Sequence, residues 1–133
     1  MRKNIHVDGL PDLRPYGLSQ GVETESFVFV PSMALERGEL RRDSEAISVA
    51  DETRIILERM NEKLQAIGLS LADVVKTTCY LTDRNHFAEF AEEYKKHWDG
   101  DYPTRVTVYV GLAVDCRVEI DAVAVKPSTV GAS

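Results

Sequence analysis

The sequence predicts an α+β fold: a single domain of β-α-β-α-β-β order, with one mixed sheet carrying both helices on one face. Three observations lead there. Residues 105–110 and 118–122 alternate strictly in the direction of their apolar and polar side chains, residues 74–81 form a β-branched run, and two stretches of helical periodicity separate the strand segments.

A Gly/Pro/Tyr-rich lead, with room for a further strand or hairpin, enters a first strand at residues 27–30, which is left through Pro31 and Ser32. The connection that follows mixes Glu36, Arg37, Glu39, Arg41, Arg42 and Asp43, and such mixed signs predict a turn and a solvated loop. Ser48 is placed to cap a helix, with Asp51 and Glu52 at its positive end. Ile56, Met60, Leu64 and Ile67 recur at helical spacing as a core stripe, and Gly68 is placed to stop the helix in a left-handed conformation. Residues 74–81 suit a central strand. Asp83 or Asn85 then caps a second helix. Its Phe87, Phe90, Ala91, Tyr94 and Trp98 form a sheet-covering face, with Lys95, Lys96 and a surface His97 compensating its negative end. Asp99-Gly100-Asp101 ends it, and Pro103 opens the next strand. Beyond Val125, the small, polar tail 127–133 is expected to fray.

The two late strands carry the chemistry. Arg105, Thr107 and Tyr109 oppose Val106, Val108 and Val110, while Glu119 and Asp121 oppose Val118, Ile120 and Ala122. A guanidinium on a rigid strand can grip a carboxylate with two parallel hydrogen bonds, and a nearby carboxylate can activate water. A solvated cross-strand ion pair is the plain alternative. One face of the sheet, bearing Thr107, Tyr109 and Val123, lacks a helix layer and is expected to be covered by another copy of the chain.

Composition narrows the classes. With 133 residues, 44% hydrophobic and 29% charged, the chain suits one domain with one core. Sixteen basic against 22 acidic residues give a net charge of −6, which disfavours nucleic acid as a partner. Cys79 and Cys116 lack paired spacing and read as reduced thiols, and His6, His86 and His97 lack metal-site spacing, so no metal is expected. The basic start leads into no apolar stretch, and no run approaches the roughly 18 apolar residues of a membrane span, so no membrane partner is expected and a cytoplasmic location is.

In this order and at these intervals, several segments make the chain resemble the RidA (YjgF) family of enamine/imine deaminases across residues 14–126. They are Tyr16 with Ser19-Gln20-Gly21-Val22, Val74-Val75-Lys76-Thr77-Thr78 with Leu81-Thr82-Asp83, Asn85 with Phe87, Pro103-Thr104-Arg105, and Val118 through Val125. The resemblance implies a chorismate-mutase-like fold assembled as a homotrimer, with pockets in the clefts between subunits and strand 74–81 lying between the Arg105 and Glu119 strands. Two strand spacings would then separate Arg105 and Glu119 by about 10 Å, room for a small substrate between them. It also implies roles. Arg105 would hold the carboxylate of a 2-imino acid and Glu119 would orient the attacking water, with Tyr16, Ser32, Asn85 and Thr107 lining the pocket and no cofactor required. The chain departs from the family in three places. Thr107 stands where many members have cysteine, Pro31-Ser32-Met33 stands where Ser-Gly-Gln is common, and the Tyr16 segment is about two residues longer before Gln20. A deaminase of small 2-imino or 2-enamino acids, general or pathway-specific, is the first expectation. A non-catalytic carboxylate-binding or regulatory trimer is the alternative, and a ribonuclease or translation inhibitor is a third class.

Overall fold

Alternating side chains build the sheet, and the computed structural model describes it over residues 1–128; part of the predicted fraying tail therefore lies outside the described residues. The strands are β1 (Arg2–Ile5), β2 (Gly21–Thr24), β3 (Phe27–Ser32), β4 (Val74–Leu81), β5 (Thr104–Tyr109) and β6 (Val118–Val125), and the helices are α1 (Val49–Gln65) and α2 (Phe87–Tyr94). They form one mixed sheet in the order β1-β2-β3-β6-β4-β5. All neighbours run antiparallel except β4 and β5, which are parallel across the α2 crossover. β4 thus lies between β5 and β6, and the room for an extra hairpin is taken by β1 and β2. Among the described residues no helix is long and apolar enough to cross a membrane.

The helices cover the face that carries Val28 and Val30 of β3, Thr77, Cys79 and Leu81 of β4, and Val118, Ile120 and Ala122 of β6, all fully buried. Against them α1 presents Ile56, Met60 and Leu64, also fully buried. Ser48 caps α1 reciprocally: its hydroxyl accepts from the Asp51 amide at 3.0 Å, and Asp51 accepts from the Ser48 amide at 3.3 Å. Gly68, at φ +81°, turns the chain so that the Leu69 amide returns to the Leu64 carbonyl at 2.9 Å. Phe90 and Tyr94 of α2 and Trp98, just beyond its end, pack ring on ring, the Tyr94 hydroxyl lies 2.8 Å from the Thr77 hydroxyl, and the Trp98 indole donates to the Leu71 carbonyl at 2.9 Å.

Three local expectations change. The first strand does not stop at Val30 but runs through Pro31 and Ser32; β2 pairs only as far as Phe29, which leaves the end of β3 as an edge where proline is tolerated. The charged connection is not simply solvated, because Ala34 and Leu35 are buried and Arg59 of α1 holds it through Asp43 at 2.6 Å and the Leu35 carbonyl at 2.8 Å. His97 is not a free surface residue either. It sits 2.8 Å from Glu93, one turn earlier, in a largely buried pair.

The segment before β6 is anchored to α1. Glu52 is fully buried on the α1 stripe and accepts from the Arg117 amide, the Arg117 Nε and the Val118 amide, at 2.8, 2.8 and 2.9 Å. The Arg117 guanidinium also donates to the Ala46 carbonyl at 2.7 Å and the Ile47 carbonyl at 3.2 Å. This knot fixes the start of β6, one residue before Glu119.

Candidate functional site

Arg105 sits on β5 in register with Thr77 of β4, so it shares the helix-covered face. At this sheet edge α2 leaves it half-buried. Its guanidinium lies over the rings of Phe87, Phe90 and Tyr94, at 5.7, 5.4 and 4.8 Å from their centroids. Such contacts hold a cation in place through the ring faces while leaving its in-plane N–H groups free. Among the described residues no hydrogen bond or ion pair engages the Arg105 side chain, so the fork of donors is available to a ligand. Thr107 follows on the same face in register with Cys79, and Arg84 stacks on Tyr109 at 5.1 Å. Asn85, exposed, lies in the turn between Arg84 and Phe87 and so borders this cluster.

Glu119 sits on β6 in register with Tyr80, on the face that carries no helices. It is partly buried; desolvation first, and then the negative charge of Asp121, raise its carboxyl above its ordinary value. A shallow outer cleft is formed there by Pro31, Tyr80, Val110, Gly111, Glu119 and Asp121. Behind Pro31 and Glu119 opens a cavity of about 130 Å³, walled by Leu10, Leu13, Leu18, Met33 and Leu35 and reached by Lys63. Gln20 secures the N-terminal wall: its side chain accepts from the Val7 amide at 2.6 Å and donates to the Pro11 carbonyl at 3.1 Å.

These placements correct the expected site in four respects. Arg105 and Glu119 do not flank one pocket within a protomer, because the sheet itself separates them. Alternation reports which residues of a strand share a side, and β5 happens to turn its valines, not its arginine, toward the bare face. That face accordingly bears Val123 with Phe27, Phe29, Val106 and Val108, of which Val106 is 56% and Phe27 49% exposed, while Thr107 and Tyr109 lie on the other side. Ser32 lines the cavity, but its hydroxyl is turned to the helix layer and donates to the Ile56 carbonyl at 3.1 Å. Tyr16, 59% exposed in the turn Arg14–Tyr16, is flanked by the cavity residues Leu13 and Leu18 without lining the cavity itself. The predicted residues therefore form two groups, Arg105 with Thr107 and Asn85, and Glu119 with Ser32 and the Tyr16 turn.

Neither cysteine joins them. Cys79 and Cys116 are free and buried, and burial pushes their thiols up to about 11 and about 12. Among the described residues no cluster of three or more His, Cys, Asp or Glu side chains is arranged to hold a metal ion.

Lys63 was not visible as a site residue in the sequence. Its helical phase, three residues after Met60, was the only sign that it falls on the buried side of α1. Burial, and secondarily the positive charge of Arg59, lower its ammonium from 10.5 to about 8. The unfolded chain therefore binds a proton that the folded chain has lost between about pH 8 and 10.5, and the burial cost is complete below that window. The shift is worth roughly 3 kcal/mol, from which the lost hydrogen bond to the Pro31 carbonyl removes about 1 kcal/mol. Lys63→Met is expected to stabilise the fold by about 2 kcal/mol at pH 7, a gain that shrinks as pH rises toward 10. Urea melts at the two pH values check this; a less stable variant at pH 7 would refute it.

Comparison with known proteins matches this chain to one family. The family model described as Endoribonuclease L-PSP covers residues 13–126. The chain is 37% identical over 134 residues to "Putative reactive intermediate deaminase TdcF" of Escherichia coli (strain K12), spanning 95% of this chain and 98% of that protein. It is 39% identical over 79 residues to the Homo sapiens 2-iminobutanoate/2-iminopropanoate deaminase, spanning 59% of this chain and 58% of that one. A crystal structure of E. coli TdcF with bound serine superposes with a TM-score of 0.81 at 34% identity, covering 94% of this chain and 99% of the other.

Proposed function

Because this chain belongs to the Endoribonuclease L-PSP family, the RidA/YjgF proteins of the sequence resemblance, we propose that it hydrolyses small 2-imino acids to 2-keto acids and ammonia. The observation that carries this reading is the unpaired Arg105 guanidinium, fixed over three aromatic rings at the open edge of the sheet. It is complementary to a carboxylate, and the relatives' names supply the imine.

The two residue groups complete one site when two copies meet. The bare face, with Phe27, Phe29, Val106 and Val108 exposed, offers an apolar surface for such a junction, and its closure as a homotrimer accords with the resemblance. Arg105, Thr107 and Asn85 would come from one copy, Glu119 and the β3 edge from the next. Arg105 then holds the carboxylate, with the Thr107 hydroxyl beside it as a further donor. Water adds to the C=N carbon as Glu119 accepts its proton, and the imine nitrogen takes up a proton. Glu119, having passed the water's proton to nitrogen, then takes the carbinolamine hydroxyl proton and relays it to the amine; the C–N bond breaks, ammonia leaves and the oxygen becomes the ketone. Orientation and proton transfer suffice, because an imine is already electrophilic.

The test generates an imino acid with an amino-acid oxidase and traps it with semicarbazide: the protein is expected to divert the imine before trapping. Unchanged trapping across a panel of imines defeats the reading. Glu119→Gln is expected to lower kcat/KM by about tenfold. Since the Glu119 carboxyl is raised, the wild-type rate should fall on the acid side at a higher pH than an ordinary glutamate would set, where the base becomes protonated. That limb should vanish in Glu119→Gln, and a pH profile common to both proteins would remove Glu119 from the chemistry. Ribonuclease chemistry is not favoured by this site, since no histidine lines either the cleft or the cavity.

A further inference from the structure

The cavity behind Glu119 combines two features that a plain imine pocket does not need. Its walls are aliphatic, from Leu10, Leu13, Leu18, Met33 and Leu35, yet Lys63 reaches it from α1 with only 7% of its surface exposed. The Lys63 ammonium donates to the Pro31 carbonyl at 2.8 Å and has no carboxylate partner among the described residues. An ammonium can give three hydrogen bonds, so two remain to be directed. The other cation of this wall, Arg59, is already engaged by Asp43 and the Leu35 carbonyl. Pro31 and Glu119 line both the cavity and the outer cleft, so a molecule whose reacting carbon lies beside Glu119 can extend its side chain past Pro31 into the cavity.

Resting on the deaminase reading, we propose that this cavity is the side-chain subsite and that Lys63 makes it select 2-imino acids whose side chain ends in a second carboxylate. The methylenes of such a chain lie against the aliphatic wall, and the terminal carboxylate completes the hydrogen bonding of the ammonium. A wholly aliphatic chain fills the same wall but leaves a buried cation short of acceptors, which is the larger penalty once the chain occupies the cavity. Arg105 and Lys63 then recognise the two ends of one dianion. Discrimination of this kind is strong because it turns on a buried polar group being satisfied or not.

The experiment compares 2-iminoglutarate, formed by L-glutamate oxidase, with 2-iminopentanoate, formed from L-norvaline by an L-amino-acid oxidase, in wild type and Lys63→Met. The wild type is expected to prefer the dicarboxylate by about tenfold in kcat/KM, with the ratio falling to one or below in the variant. A wild-type ratio of one or less, or the same ratio in both proteins, overturns the proposal. Failure to divert either imine counts against the deaminase reading instead, and the subsite is then decided by binding alone. Glutarate should raise the melting temperature of the wild type more than pentanoate does, and this excess should disappear in Lys63→Met. Equal shifts by the two acids overturn the subsite.

Discussion

Arg105→Ala is expected to reduce kcat/KM for 2-imino acids by at least about a hundredfold, toward the uncatalysed rate. The guanidinium lies over Phe87, Phe90 and Tyr94 and donates to nothing else among the described residues, so its N–H groups are available to a carboxylate. Two charge-assisted hydrogen bonds, each worth about 1.5–2 kcal/mol, account for a loss of that size. Arg105→Lys should recover only part of it, because an ammonium cannot reproduce the planar fork and stacks less well on the rings. Folding should change little, since the residue is half-buried at an edge and its ring contacts are worth about 1 kcal/mol. Full turnover by a folded Arg105→Ala protein in the semicarbazide assay would exclude carboxylate capture by this residue and with it the proposed mechanism. Retained binding of a small carboxylate without turnover in the wild type, lost in Arg105→Ala, would convert the enzyme reading into the non-catalytic one.

Glu52→Ala is expected to destabilise the fold by about 3–5 kcal/mol, enough to unfold a substantial fraction of a marginally stable domain. Glu52 is fully buried and accepts from two backbone amides and the Arg117 Nε. Its loss leaves the Arg117 Nε and the Arg117 and Val118 amides without their acceptor and removes the cation's carboxylate partner, while the guanidinium keeps the Ala46 and Ile47 carbonyls. Glu52→Gln keeps an acceptor in place and should cost less. Because Arg117 and Val118 lead directly into Glu119, both variants should also lower kcat, even under conditions where they remain folded. Urea melts and assays on the same preparations measure the two effects. A wild-type denaturation midpoint in Glu52→Ala would show that the knot contributes no net stability.

Much of this architecture was legible because it follows from local rules. A β-branched run placed β4 and alternation placed β5 and β6; Ser48, with Asp51 in the first turn, marked the start of α1, and Gly68 its end. The spacing of Ile56, Met60 and Leu64 set the buried side of α1. The same helical phase places Glu52 four residues before Ile56 and Lys63 three after Met60. A charge in a first turn reads equally well as a dipole partner, however, and a lysine usually reaches solvent. Only the arrival of Arg117 beside Glu52, and of Pro31 beside Lys63, gives these residues their roles. Ser32 is a related case: it lines the cavity, but its hydroxyl donates to a helix carbonyl that only the packing of α1 brings near.

Unaided, the sequence determined the elements, their order, and the two strands on which an arginine and a glutamate would stand, because periodicity is a property of neighbouring residues. It could not determine that Arg105 and Glu119 stand on opposite faces of one sheet. That is decided by which side of each strand the helices cover, a matter of non-local pairing between β4, β5 and β6 and of where α2 packs against the edge. Tertiary packing alone therefore divides the candidate site in two, sets Lys63 behind Glu119, and leaves an apolar face that no helix covers.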